Sequence, residues 1–174
     1  IPVFALVAKK IPAAKLLLVG DGPMMPTLRQ QCVQAGLAID DTTPGKASVL
    51  FAGYQKNPLQ FMALGRVFAL PSGTEGVPNI LLEAMSSGTP VIAADAAWGA
   101  RSVLTHDDLY KQKPYPLDRV YEAEYGILMP RIDDTHHYKE WARVLSDSLR
   151  DDALRTRYVE KAKRRVLDYD RDVV

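Results

Sequence analysis

The stretch PSGTEGVPNILLEAMSSGTPVIAAD, Pro71 to Asp95, decides the fold. It opens where an apolar run, RVFALP at 66–71, stops at a proline; it then passes through a loop holding Gly73 and Gly76 and continues into NILLEAM. Pro78 suits the first position of a helix, where its missing N–H leaves no bond unmade. A second apolar run, PVIAA at 90–94, follows. Neither run alternates apolar and polar residues as a half-exposed antiparallel strand would. The unit reads as strand, loop, helix, strand, with both strands buried in a parallel sheet.

The pattern repeats outward. KLLLV at 15–19 and SVLFA at 48–52 are short apolar runs followed by glycine, and YGILMP at 125–130 ends in proline. Helices are expected between them: Pro26 to Ala35, with Leu28, Cys32 and Ala35 on one face, then Leu59 to Leu64 and Val77 to Ser87. VFALVAKK near the start reads as the end of a helix lying on the sheet. Strand and helix alternate, so the fold class is α/β, a doubly wound, Rossmann-like parallel sheet with right-handed crossovers. Such folds begin with a strand and a phosphate-facing turn, so a first strand is expected upstream of Ile1. Residues 105–124 are polar, contain Pro114 and Pro116, and read as an inserted surface loop. Beyond the fifth strand, Asp133, Asp134 and Thr135 offer N-cap chemistry to a helix carrying Tyr138, Trp141, Ala142, Leu145 and Leu149. A last helix carries Leu154, Tyr158, Ala162, Val166 and Tyr169 on one stripe.

Composition sets the outer limits. The 174 residues are 47% hydrophobic and 25% charged, which excludes disordered, collagen-like and coiled-coil classes. Twenty-two basic residues against 21 acidic ones leave a net charge of +1, so nothing favours general nucleic-acid binding. An anionic partner must be bound locally. One cysteine, Cys32, excludes an internal disulfide and fits a cytoplasmic, reducing setting.

Three loops at strand ends carry the chemistry. In the first, Gly76 to Asn79 meet a helix N-terminus at the carboxyl end of a strand, where open α/β sheets bind ligands and exposed N–H groups suit an anion. Glu75 precedes that helix and Glu83 lies within it among Ile80, Leu81, Leu82, Ala84 and Met85. A carboxylate buried there would need a partner, and the paired hydroxyls of a sugar would serve. Alternatively, Glu83 caps a neighbouring loop and Glu75 is simply solvated. In the second loop, LVGDGPMM, Gly20, Asp21, Gly22 and Pro23 form a tight turn. A dinucleotide fingerprint fails there because Met25 holds the third glycine position. In the third, FAGYQKNP, residues Gly53, Tyr54, Gln55 and Lys56 offer a stacking face, an amide and a positive charge.

Taken together, VGDGP, FAGYQKNP, VFALPS, the Glu, seven residues, Glu pattern of Glu75 and Glu83, and SSGTPVIAAD resemble the carboxy-terminal domain of a retaining glycosyltransferase of family 4, which has the two-domain GT-B fold. The resemblance runs from about Lys15 to Pro130. It implies a donor-nucleotide-binding domain over 1–150, with 151–174 as a C-terminal helix of the same domain. It also implies transfer of a sugar from a UDP- or GDP-linked donor to an acceptor hydroxyl, with no metal or other cofactor, in polysaccharide, lipopolysaccharide or glycolipid assembly. Glu75 would contact the transferred sugar, and Gly76, Val77, Pro78 and Asn79 would face its phosphates. Glu83 would hold the ribose hydroxyls, while Gly20 to Pro23 and Gly53 to Lys56 would lie near the base. The partners implied are the donor, an amino-terminal acceptor-binding domain and a glycan or lipid-linked acceptor; without that domain the chain alone is expected to be inactive. Family members also supply a phosphate-binding Arg and Lys from a loop that would precede Ile1. After PVIAA, the family has Gly-Gly-x-Pro-Glu or Gly-Pro-Arg-Glu, whereas this chain has Gly99, Ala100, Arg101 and Ser102. Arg101 fits the second form and Ser102 lacks its carboxylate. A non-catalytic nucleotide- or partner-binding module and a sugar-nucleotide epimerase fragment of the same fold are the alternatives.

Other features read as structural. His136 and His137 are adjacent and point apart on a helix, a poor metal pair, and metal binding by His106, Asp107 and Asp108 is disfavoured. Cys32 reads as a small core residue. Residues 151–174 carry seven positive and six negative charges, which favours a solvated helix face over peripheral contact with the inner face of a membrane.

Overall fold

The computed structural model describes residues 1–40, 48–73, 79–95, 97–106, 117–132 and 135–170. Helix α1 (Pro2–Lys10) leads into β1 (Leu16–Val19), α2 (Met25–Gln34), the short β2 (Ile39–Asp40) and β3 (Val49–Gly53). There follow α3 (Pro58–Leu64), β4 (Phe68–Leu70), α4 (Asn79–Ser86), β5 (Val91–Ala94) and α5 (Ala97–Leu104). The chain then forms β6 (Tyr121–Glu122), β7 (Ile127–Met129), α6 (Thr135–Arg150) and α7 (Asp152–Asp170).

All five expected strands are present, and every described pairing among them is parallel. They form two sheets, ordered β1-β3-β2 and β4-β5-β7-β6. Among the described residues, β1 pairs only with β3, and β4 only with β5. The two-residue period of β5 shows how helices cover both faces of the second sheet. Val91 and Ala93 pack with Leu81, Ala84 and Met85 of α4, Val103 and Leu104 of α5 and Ala162 of α7. Ile92 and Ala94 turn the other way, onto Trp141 and Val144 of α6. In the first sheet, Leu16, Leu18, Val49 and Phe51 pack with Phe4 and Val7 of α1 and Cys32 of α2. Helix α6 joins the halves: Ala142 is buried in the first cluster, Trp141 in the second, and Leu145 packs against both.

Residues 105–124 are corrected in part. Leu117 and Ala123 are buried in the main core, and Tyr121–Glu122 pair antiparallel with β7, so the end of this segment is structural rather than surface ornament. Residues 107–116, and the expected caps Asp133 and Asp134, lie outside the described residues. Helix α5 and the two-residue strands β2 and β6 have no counterpart in the sequence reading.

Candidate functional site

Within each sheet the parallel strands end on the same side, and the loops that leave their carboxyl ends form the candidate site. Gly20, after β1, donates its N–H to the carbonyl of Gly53, at the end of β3, at 2.7 Å. Both glycines have positive φ, +125° and +64°, which a side chain would strain. This bond brings the two expected base-side loops together. Gly22 N–H is bound by the Asp21 carboxylate at 2.7 Å, closing the turn. Gln55 donates Nε2–H to Ala52 O at 2.6 Å, so this amide is engaged with its own strand. Tyr54 stands 76% exposed, presenting a bare ring, and Lys56 is exposed beside it.

Helix α4 starts at Asn79, which is exposed; Glu75, Gly76, Val77 and Pro78 lie outside the described residues. Glu83 requires a correction. It is exposed, not enclosed by apolar side chains, because Ile80, Glu83 and Ser86 share the outward stripe of α4 while Leu81, Ala84 and Met85 point inward. Its carboxylate makes no hydrogen bond or ion pair among the described residues, and no burial cost forces a partner on it. Its carbonyl, by contrast, accepts the Ser86 and Ser87 hydroxyls at 2.8 and 2.9 Å. Burial therefore demands no ligand of Glu83, and its solvent-facing carboxylate is available to one.

Three features of this edge escaped the sequence reading. Asp95, immediately after β5, is fully buried and grips Arg101 of α5 through two bonds, Nε to Oδ1 and Nη2 to Oδ2, each 2.6 Å. The same carboxylate accepts Leu117 N–H at 2.7 Å. Arg101 is thus a buried structural cation, and Ser102 turns its hydroxyl back to Gly99 O at 2.8 Å. Second, Trp141 Nε1–H donates to Pro130 O at 2.8 Å, tying α6 to the exit from β7. Third, Arg131, half-buried just past that proline, reaches the loop after β4: a Cβ at Gly73 would lie 3.8 Å from its Nη2. The pairing of Asp95 with an arginine six positions later was the one sequence signal that could have been found.

Away from this edge, the basic block of α7 is largely engaged. Arg155 pairs with Asp152, Arg157 with Glu122, Lys161 with Glu124 and Arg165 with Asp168. His136 and His137 form an edge-to-face ring pair with centroids 5.8 Å apart. Cys32 is fully buried, and burial pushes its thiol above the ordinary range. Among the described residues, no helix is long and apolar enough to cross a membrane.

The profile of the family described as glycosyl transferases group 1 matches residues 1–147. An uncharacterized glycosyltransferase of Methanocaldococcus jannaschii is 30% identical over 92% of this chain and 40% of its own length. The Campylobacter jejuni N-acetylgalactosamine-N,N'-diacetylbacillosaminyl-diphospho-undecaprenol 4-alpha-N-acetylgalactosaminyltransferase is 27% identical over 90% of this chain and 35% of its own length. The chain therefore spans well under half of either relative. Among solved structures, S. aureus TarM, crystallised with UDP, superposes with a TM-score of 0.74 at 20% identity, covering 95% of this chain and 28% of that one. The architecture is the α/β, Rossmann-like fold of GT-B glycosyltransferases. With most of its length matched by the family profile, the chain belongs to the glycosyl transferases group 1 family.

Proposed function

We propose that this chain is the donor-binding domain of a retaining, family 4 glycosyltransferase that uses a UDP- or GDP-linked sugar. The observation that carries the reading is the joining of two of its loops: the Gly20 to Gly53 hydrogen bond ties the two base-side turns at the carboxyl ends of β1 and β3, and α4 follows the carboxyl end of β4. Exposed Tyr54 offers a ring to a base, and outward-facing Glu83 offers a carboxylate to ribose hydroxyls. Glu75 is assigned to the transferred sugar, and Gly76 to Asn79 to the phosphates.

In the proposed reaction the bond from the anomeric carbon to the diphosphate oxygen breaks, and a bond to the acceptor hydroxyl oxygen forms on the same face. The diphosphate leaves as an anion and the acceptor hydroxyl gives up its proton. The protein's contribution is chiefly electrostatic, through donors and cations placed where the leaving diphosphate gains charge. Neither a metal nor a cofactor enters this reading. The acceptor, a glycan or lipid-linked sugar, would be held by a further amino-terminal domain, and this chain alone would be inactive. The undecaprenol-linked substrate in the C. jejuni relative's name supports a place in polysaccharide, lipopolysaccharide or glycolipid assembly. The reaction is assigned to the cytoplasm; any contact with a membrane surface would fall to Lys163 and Arg164, exposed on α7 beside cations already paired.

Calorimetric titration of the wild type and Glu83→Ala with UDP and GDP tests the reading. One nucleotide should bind the wild type in the high micromolar to millimolar range, and the variant should bind it at least several-fold more weakly. Equal binding by the two proteins would remove Glu83 from the ribose.

A further inference from the structure

We infer that the cavity between β6 and α7 is a binding site for one uncharged sugar unit, separate from the proposed donor site and independent of it. Among the described residues, Tyr121, Glu122 and Glu124 line one wall, Arg157, Tyr158 and Lys161 the other, and His106 lies beyond the end of α5. Glu122 pairs with Ile127, the first residue of β7, so the cavity sits at the amino end of that strand, away from the loops at the carboxyl ends. Its volume is about 270 Å³. That is below the roughly 300–1,000 Å³ of pockets for drug-sized ligands and suits a single ring.

The charges of the two walls are matched. Lys161 Nζ lies 2.9 Å from Glu124 Oε1, and Arg157 Nη2 lies 3.6 Å from Glu122 Oε2. An anion entering here would meet both carboxylates, and a cation would meet both basic groups, so a charged ligand gains no net attraction from these four side chains. A neutral one avoids the repulsion. The pairs still have hydrogen bonds to give: at 3.6 Å Arg157 and Glu122 attract each other without forming one, and a single contact does not saturate a carboxylate or a guanidinium. A sugar hydroxyl donates and accepts at once, so adjacent hydroxyls of one ring can give to a carboxylate and take from the cation beside it. Because pairing already holds these side chains, less freedom is lost on binding. Tyr158 adds a second observation. It is 2% exposed, and its hydroxyl is sealed from water without a hydrogen bond, while Arg157 stands over its ring, 5.1 Å from the centroid. Buried hydroxyls ordinarily have a partner, and a polar ligand seated against Tyr158 would supply one.

Nuclear magnetic resonance on the isotopically labelled protein tests the site, at pH 8, where a histidine is ordinarily neutral. Glucose, galactose, N-acetylglucosamine, inorganic phosphate and UDP are titrated separately, with thermal melting as the check on folding of each variant. At least one sugar should bind in the millimolar range and shift the amides of Tyr121 to Glu124 and of Arg157 to Lys161, leaving those of Gly20 to Gly22 and Gly53 to Lys56 in place. Glu122→Gln and Lys161→Gln, each of which unbalances the walls, should weaken that sugar about fivefold or more. UDP should bind both variants as it binds the wild type. Failure of all three sugars to bind, or shifts confined to the loops after β1 and β3, would overturn the site, as would a sugar affinity unchanged in both variants. Phosphate binding at the β6 and α7 amides more tightly than any sugar would mark an anion site and also overturn it. The wild-type map decides even if a variant does not fold. Should UDP fail to bind the wild type while a sugar still shifts the β6 and α7 amides, the donor reading falls and this site stands.

Discussion

Arg101 and Asp95 lie fully buried against each other, joined by two hydrogen bonds of 2.6 Å. The Asp95 carboxylate also takes Leu117 N–H at 2.7 Å, and the Asp95 N–H binds Met129 O at 2.8 Å, so this residue ties the exits of β5 and β7 to α5 and to the chain returning at 117. Removing one partner strands a charge in the interior. Arg101→Met should cost about 3–5 kcal/mol in urea unfolding. The double variant Asp95→Asn/Arg101→Met should recover part of that loss, since no charge remains and the asparagine oxygen can still accept from Leu117. A double variant no more stable than Arg101→Met would show that the stranded charge is not the source of the loss.

Gly126 is the tightest glycine contact among Gly20, Gly22, Gly36, Gly53, Gly65, Gly73, Gly88 and Gly126. A Cβ there would sit 2.7 Å from Val91 O, 2.9 Å from Val91 Cγ2 and 3.1 Å from Leu104 Cδ2. Because the nearest of these atoms is strand backbone, it cannot simply rotate away. Gly126→Ala should destabilise by about 1–3 kcal/mol. Gly22→Ala, with open space around it, should stay within about 0.5 kcal/mol of wild type. A melting comparison of the two variants checks both values.

Arg165 closes the last turn of α5 from outside. Its Nη2 donates to Ser102 O at 2.6 Å and its Nε to Val103 O at 3.2 Å, while the Tyr169 hydroxyl donates to Ser102 O at 2.9 Å. These bonds satisfy carbonyls that a helix end leaves open. Arg165→Ala should lose about 1–3 kcal/mol. Arg165→Lys should recover little, because one ammonium cannot reproduce the fork. Full recovery by lysine would mean that charge alone matters here.

Burial holds the Cys32 thiol protonated beyond its usual range. In the native protein at pH 8, Ellman's reagent should therefore react at a rate set by unfolding, and in urea the thiol should react at once. Immediate reaction of the folded protein would contradict the position of α2 on the first sheet.

Glu83 separates stability from binding. Since its side chain is exposed and makes no described contact, Glu83→Ala should leave the melting temperature unchanged within about 1 °C for a domain of this size. A several-fold loss of nucleotide affinity without loss of stability is the signature expected of a ligand contact.

The sequence announced its strands because each is a continuous apolar run bounded on at least one side by glycine or proline, and the runs at 15–19, 48–52, 66–71, 90–94 and 125–130 all contain one. Strands β2 and β6 are two residues long and exist through pairing, which leaves no local trace. Helix α5 was missed because its polar residues hide its core: Arg101, matched in the sequence only to a family motif, is buried against Asp95. Glu83 was misread for the opposite reason. Its neighbours along the chain are apolar, but the helical period carries it outward with Ile80 and Ser86. Arg131 carried no signal, because its relation to Gly73 spans 58 residues of sequence and arises from the order of strands in the sheet.

That order has a mechanical meaning. The turns after β1 and β3 belong to one sheet, and the loops after β4, β5 and β7 to another, with no described strand pair between them. What couples the base end of the proposed site to its phosphate end is the side-chain packing of α1 and α6, where Val3 and Leu145 touch both cores. Apolar packing yields to shear more readily than a hydrogen-bonded ladder. In the proposed site, a shift of one end against the other would repack these side chains and break no described strand pair.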